Sequence, residues 1–188
     1  MKSDLSFREF KPALRFLLIF VGAYLVGNII YGVYVEWYKP APDPMTVWVT
    51  NQAAYALTKL DGPVESVVSA REPIVLLRDA VQGGDSKTTL RVFEGCNGLN
   101  VIIVFVSFIA AFGGRAKQIA IFLLTGFLVI HIANLLRIIL LYYTAAYRPL
   151  FFYYFHKYFF TAVLYVVVMG LWFVWTQMKS NQRDSVKA

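Results

Sequence analysis

Four long runs of apolar residues, separated by polar and charged stretches, set the pattern of this chain. A transmembrane helix needs about 20 mostly apolar residues. We predict membrane spans over residues 16–35, 96–113, 118–143 and 158–178. The second run is the shortest and reaches the lower limit of about 17 residues only when all of 97–113 is included. The pattern therefore predicts an all-α integral membrane protein, a four-transmembrane-helix bundle forming one membrane domain over residues 1–188.

The one long connection, residues 36–95, carries short elements of its own. Asp43 followed by Pro44 is typical of a helix N-terminus, with the aspartate as N-cap. Residues at helical spacing follow and predict a helix lying on the membrane surface: Met45, Trp48, Gln52 and Tyr55. Runs over 64–70, 74–77 and 88–93, interrupted by Pro73 and by Gly83-Gly84-Asp85, predict strands. The connection therefore reads as a small cap, not as an independent domain.

Composition supports the membrane interpretation. Of the 188 residues, 59% are hydrophobic and only 15% are charged, whereas soluble domains have roughly a quarter of their residues charged. These values exclude a disordered, collagenous or ordinary soluble protein. The net charge of +7 does not indicate nucleic-acid binding, because the positive charges lie at the ends of apolar runs and not on one amphipathic face.

The positions of the basic residues predict the orientation. Cytoplasmic flanks of membrane spans are enriched in lysine and arginine. Basic residues precede the first span, separate the second from the third and follow the fourth: Lys2, Arg8, Lys11, Arg15, Arg115, Lys117, Lys179, Arg183 and Lys187. Both termini are therefore predicted to be cytoplasmic, with the cap outside the cytoplasm. The first span is longer than the apolar core of a signal peptide, so we interpret it as a retained anchor.

Cys96 is the only cysteine, which excludes internal disulfides, paired-thiol redox chemistry and thiolate metal cages. A quinone-linked thiol oxidase with four spans needs cysteine pairs and is excluded for the same reason. The sequence offers no cluster of metal ligands, so we expect neither a metal nor an organic cofactor.

Three reactive residues converge on the outer side of the predicted topology. Cys96 opens the second span, Arg137 lies about 9 Å below the outer end of the third, and His156 precedes the fourth. A lone cysteine is most often a small buried apolar residue. However, Cys96 lies in a turn of small and polar residues at a predicted helix N-terminus, where the helix dipole and a nearby cation lower a thiol pKa. This arrangement favours thiol chemistry.

The other members also have structural interpretations. Arg137 either marks function or extends to the headgroups. Asn134, one helical turn earlier, either orients the Arg137 guanidinium or joins two helices. His156 either acts in catalysis or belongs to an interfacial aromatic belt. His131 is predicted near the midplane, about 18 Å from either end of its span, and is interpreted as a helix-packing or hydrogen-bonding residue.

Taken in order, these residues resemble the exosortase/archaeosortase family of membrane proteins, in particular its short, exosortase F-like branch. The resemblance rests on Glu94-Gly95-Cys96-Asn97-Gly98 opening a span, on Asn134-Leu135-Leu136-Arg137 in the next, and on His156 before the last. It covers residues 94–160 well, and the whole chain in length and predicted topology. Larger members carry extra spans before this core.

The resemblance implies a cysteine peptidase or transpeptidase of the bacterial cytoplasmic membrane. Its partners would be exported proteins that carry a C-terminal transmembrane sorting signal, together with the lipid bilayer, and no nucleic acid. Cys96 would be the nucleophile, His156 the general acid and base, and Arg137 the stabiliser of the oxyanion or thiolate. Asn134, Glu94 and Asn97 would support them.

Two functions of other classes remain open at this point. One is a non-catalytic membrane scaffold or assembly factor of a surface or export system, in which Cys96 is unreactive. The other is a small transporter. A transporter is disfavoured, because only His131, Asn134 and Arg137 of one helix offer a polar path and no pair of broken helices is predicted at the midplane.

Overall fold

The computed structural model describes residues 7–79 and 87–187 and is mostly helical, at 78%. Lys2 and the predicted Gly83-Gly84-Asp85 turn lie outside these residues. The elements in chain order are helix α1 (Phe7–Tyr38), helix α2 (Pro44–Leu60), strands β1 (Val64–Val68), β2 (Ile74–Asp79) and β3 (Lys87–Phe93), a 3₁₀ turn (Glu94–Cys96), and helices α3 (Leu99–Phe112) and α4 (Ala116–Tyr147). They end with a 3₁₀ turn (Pro149–Phe151), α5 (Phe152–Tyr154), a π-helical stretch (Phe155–Phe159) and α6 (Phe160–Lys187).

Three helices are long and apolar enough to cross a membrane: Phe10–Tyr38, Ala116–Tyr147 and Pro149–Lys179. This result agrees with the first, third and fourth predicted spans and indicates a membrane protein. The predicted second span is represented by α3, which has only 14 residues. At 1.5 Å per residue α3 is about 21 Å long, shorter than the hydrocarbon core of a bilayer at about 30 Å.

Glycines set both ends of α3. Gly98 precedes the helix with φ 84°, and Gly113 ends it with φ 71°. Such left-handed backbone conformations strain residues with a side chain. The sequence therefore stops α3 at both ends.

Helix α3 packs closely against α1 and α4 and runs antiparallel to both. Gly27 of α1 lies against Ile103 of α3, because a Cβ at Gly27 would come within 2.7 Å of the Ile103 side chain. Gly126 of α4 is in even closer contact with the Phe105 ring. Small residues of this kind let helix backbones approach each other in membranes.

Helix α6 completes the bundle and shows where its basic end lies. Trp172 stacks on Phe108 of α3 with ring centroids 4.3 Å apart. Further along, the Lys179 side chain reaches Gly114, in the connection between α3 and α4. Lys11 and Arg15 of α1 line a cleft with Gly113 at this same end. The basic residues of three segments therefore gather at one end of the bundle, opposite the sheet and Cys96.

The residues between α1 and α3 form one helix on a three-stranded antiparallel sheet of order β1-β2-β3. In the register, Leu77 pairs with Leu90 and Val75 with Val92. One face of the sheet packs against α2 and the C-terminal half of α4 around a shared core: Val49, Ala53, Leu57, Leu77, Leu90, Val92, Ile138, Leu141 and Tyr142. The predicted strands are confirmed, with ends shifted by one to two residues.

Helix α2 begins as predicted. Asp43 caps it by accepting a hydrogen bond from the Thr46 backbone N–H at 3.0 Å, and Pro44 occupies the first turn. Trp48 and Tyr55 of the predicted surface face stay exposed. The opposite face is buried against the sheet and α4, so α2 joins the sheet to α4.

Candidate functional site

Cys96 lies in a tight turn, residues 94–98, between β3 and α3; we call it the Cys96 turn. The prediction that Cys96 opens a helix is wrong. Because Gly98 adopts a left-handed conformation, α3 begins only at Leu99. The Asn97 side chain bridges the break, since its Oδ1 accepts a hydrogen bond from the Leu99 N–H at 2.9 Å. Cys96 therefore lies three residues before the first residue of α3.

Two long helices hold the Cys96 turn through its carbonyl groups. The Tyr31 hydroxyl of α1 donates to the Glu94 carbonyl at 2.9 Å. The Asn134 amide of α4 donates to the Cys96 carbonyl, also at 2.9 Å. The Asn97 amide in turn donates to the Tyr31 hydroxyl at 3.1 Å. The backbone on both sides of the thiol is thereby fixed.

A buried carboxylate on α2 extends this network. The Thr46 hydroxyl donates to Asp43 Oδ2 at 2.6 Å, and the Asn97 amide lies 3.4 Å from the Thr46 hydroxyl oxygen. Asp43, Thr46 and Asn97 are almost completely buried. Sequence reasoning identified Asp43 as a cap and Asn97 as a supporting residue, but missed Thr46 and Tyr31. Hydroxyl groups beside apolar runs are too common to single these two out.

The proposed role of Asn134 in orienting Arg137 is not what the structure shows. Asn134 is fully buried and its amide donates to the Cys96 turn, so the alternative of a residue that joins two segments fits better. Gly98 makes this contact possible, because a Cβ at Gly98 would lie 3.1 Å from Asn134 Cγ. The Oδ1 of Asn134 is buried and has no hydrogen-bond partner among the described residues.

The Cys96 side chain is only 4% exposed and belongs to the buried cluster that includes Ile138, Tyr142 and Phe160. Burial raises the pKa of its thiol, and the charge of Glu94 adds to this effect. Arg137 lowers the same pKa, as expected, but burial outweighs it. This direction is opposite to the lowered thiol pKa that we expected at a helix N-terminus.

The positive charge of Arg137 acts on both the Cys96 thiol and the His156 imidazole. Arg137 is half-buried, and its Nε is buried with no hydrogen-bond partner among the described residues. These three residues come from a turn, from α4 and from the π-helical stretch, and they gather at the same end of the bundle.

His156 is half-buried between aromatic rings. Its ring stacks on Phe152 at 5.6 Å and meets Phe93 edge-on at 6.0 Å. The Phe93 ring also touches Gly95, where an added Cβ would lie 2.8 Å away. Phe93 therefore stands between the Cys96 turn and the imidazole. The Nδ1 of His156 is buried and has no partner in the described part of the chain.

A cleft of about 620 Å³ opens beside His156. One wall is the edge strand β3, and the other consists of the end of α4 and the aromatic segment after it. The lining includes Thr89, Arg91, Phe93, Phe152 and His156. An edge strand presents unpaired backbone N–H and C=O groups, which an extended peptide is able to pair with.

His131 makes contacts that match its prediction as a hydrogen-bonding and packing residue. Its Nε2 lies 2.8 Å from Gln52 Oε1, and its ring stacks between Trp48 and Phe127. His131 thus links α4 to α2, away from the Cys96 turn.

The chain matches no protein-family model, no curated protein and no solved structure. Within residues 7–79 and 87–187, no three side chains of histidine, cysteine, aspartate or glutamate lie together in a way that could hold a metal ion.

The electrostatic environment of Cys96 predicts how its alkylation responds to pH. In Arg137→Gln the midpoint of the rate–pH profile shifts upward, because a charge that lowers the thiol pKa is lost. In Glu94→Gln it shifts downward for the opposite reason. A change of one unit in the thiol pKa changes the thiolate fraction about tenfold at any pH well below that pKa. Labelling of the purified protein with a thiol probe across pH 6–11 measures both midpoints; unchanged midpoints in both variants would contradict this geometry.

The hydrogen bond from Asn134 predicts a loss of stability in Asn134→Leu. The Cys96 carbonyl would stay buried without a donor, at a cost of about 1–2 kcal/mol. Cys96 should also become easier to alkylate as the turn loosens. Asn28→Leu is the matched control, because within residues 7–79 and 87–187 the Asn28 side chain forms a hydrogen bond only to Tyr24 of its own helix. Thermal unfolding in detergent measures the difference; equal midpoints for the two variants would argue against the anchoring role.

Proposed function

We propose that this protein is a membrane-embedded cysteine peptidase or transpeptidase of the exosortase type. It cleaves C-terminal sorting signals of exported proteins at the outer membrane–water interface. The observation that carries the proposal is the position of the Arg137 charge within range of both the Cys96 thiol and the His156 imidazole. An arginine in an apolar helix is costly and usually marks function.

The proposed reaction has two steps. The Cys96 thiolate attacks the scissile carbonyl carbon, the peptide C–N bond breaks, and a thioester forms while His156 protonates the leaving amine. His156 then takes a proton from water or an amine, which attacks the thioester and breaks its C–S bond, so that the Cys96 thiolate and the protonated His156 are restored. Arg137 stabilises the negative oxygen that develops in both steps.

The anchored Cys96 turn supports a role as nucleophile. Hydrogen bonds from α1 and α4 fix the carbonyls of Glu94 and Cys96, and a reacting group is most effective when its backbone is already in position. The thiol is buried, so substrate has to displace a covering group. Phe93 is that group in this proposal, because its ring separates Gly95 from His156.

The cleft beside His156 supports a route for the substrate. A substrate held by its own transmembrane helix would lie alongside the long helices and present an extended segment to the edge of β3. In this arrangement the residues between α1 and α3 form an extracytoplasmic cap. Helix α3 spans the membrane as the second of four helices, and both termini lie in the cytoplasm of a bacterial cell. The gathering of basic residues at the opposite end of the bundle supports that orientation.

One observation favours a second candidate, a non-catalytic membrane scaffold or assembly factor. Cys96 is 4% exposed and its pKa is raised by burial, which are properties of structural rather than reactive cysteines. In a scaffold, Asn134 and Arg137 would stabilise the junction of the cap with the bundle, and the thiol would fill space.

Substitution of Cys96 distinguishes the two functions. In a strain that lacks the gene, complementation with wild type should restore C-terminal trimming of exported membrane-anchored proteins, read by mass spectrometry of their C-terminal peptides. Cys96→Ala and Arg137→Ala should leave those proteins untrimmed, with activity lowered by at least about 10³-fold, the scale seen when a catalytic group is lost. Asn28→Ala is the control and should process normally.

The scaffold makes a different prediction in the same experiment. Cys96→Ala would then behave as wild type, and only Arg137→Ala, which leaves the junction without its buried cation, would lose the phenotype. Normal trimming by Cys96→Ala contradicts the peptidase.

A further inference from the structure

A second cleft, far from Cys96, lies at the basic end of the bundle. It has a volume of about 800 Å³ and is formed between the N-terminal part of α1 and the C-terminal end of α3. Its lining residues are Lys11, Pro12, Arg15, Phe16, Ile19, Ala110, Ala111, Phe112 and Gly113. None of them takes part in the network around Cys96, so the cleft needs an explanation of its own.

Small residues of α3 and one aromatic residue from each of the two helices shape this cleft. Ala110, Ala111 and Gly113 leave space beside the end of α3. The Phe16 ring packs edge-on against Phe112 at 6.4 Å. The inner part of the cleft is therefore apolar and lies next to the start of the membrane-crossing part of α1.

The mouth of the cleft carries two positive charges. Lys11 and Arg15 lie one helical turn apart on α1, so their side chains are neighbours on the same face. Both are exposed, and no acidic side chain is among the lining residues. Neither forms a salt bridge within the described part of the chain. The pair is thus available to an anion from outside the chain.

A charged mouth directly above an apolar interior matches the boundary between headgroup and acyl chain in a phospholipid. Lysine and arginine between membrane helices near one surface bind anionic headgroups, and the planar guanidinium of arginine contacts two phosphate oxygens at once. A soluble anion would use the charges but not the apolar walls.

We propose that this cleft binds an anionic phospholipid of the leaflet at the basic end of the bundle. Lys11 and Arg15 hold the phosphate, and the first acyl carbons lie against Phe16 and Ile19. The inference depends on membrane insertion but not on the proposed peptidase activity. The bound lipid fixes the N-terminal part of α1 against α3, the shortest of the apolar helices.

Lipid binding by the full-length protein tests the proposal. Native mass spectrometry from detergent counts bound phosphatidylglycerol and, separately, phosphatidylcholine. Wild type should retain phosphatidylglycerol preferentially. Lys11→Gln/Arg15→Gln should lose affinity for it by roughly 25-fold, from about fivefold per charge, and should bind phosphatidylcholine as before. Arg115→Gln/Lys117→Gln is the matched control, because it removes two charges from the same end without touching the lining residues.

Two results would overturn the proposal. If the control pair lowers phosphatidylglycerol binding as much as the Lys11/Arg15 pair, the effect comes from general surface charge and not from the cleft. If the Lys11/Arg15 variant keeps its lipid preference but unfolds at lower temperature, the two cations stabilise the C-terminal end of α3 and do not bind lipid. Circular dichroism confirms that each variant is folded before its lipids are counted.

Discussion

The hydrogen bonds to the buried carbonyls of the Cys96 turn are the constraint on which the rest of the arrangement depends. A left-handed glycine separates the turn from α3, so the Cys96 carbonyl takes its hydrogen bond from Asn134 of α4 and not from α3. The Glu94 carbonyl accepts from both the Asn97 N–H of the turn and the Tyr31 hydroxyl. A buried carbonyl without a donor costs about 1–3 kcal/mol. Tyr31 and Asn134 supply the donors, and Asn97 joins Tyr31 to Thr46. One turn thereby fixes the relative positions of α1, α2 and α4.

The same burial that fixes the turn limits the reactivity of its thiol. Cys96 lies in an apolar cluster that raises its pKa, while Arg137 works in the opposite direction. Arg137 Nε and His156 Nδ1 are two of the buried polar atoms that have no hydrogen-bond partner among the described residues. In the proposed peptidase, substrate moves Phe93 aside and uses these atoms. Exclusion of water would then strengthen the pull of Arg137 on the thiolate.

Much of the fold follows from the local sequence pattern. The remaining parts are determined by tertiary contacts. Run length predicted the three long apolar helices, and the Asp43-Pro44 pair predicted the start of α2. The break before Leu99 was missed, because a turn of small and polar residues is also typical of a helix start, and only the backbone at Gly98 reveals the interruption. The raised pKa of Cys96 and the bond from Asn134 were missed too, since both depend on groups distant in sequence.

Capture of the thioester tests most directly whether Cys96 is a nucleophile. Hydroxylamine attacks thioesters, so it should release an exported protein with a C-terminal hydroxamate from membranes that contain the wild-type chain. With wild type, this product should appear at the trimmed C-terminus, and with Cys96→Ala it should be lost completely. A hydroxamate that forms equally in both membranes, or trimmed protein without any hydroxamate, would contradict the role of Cys96 as nucleophile.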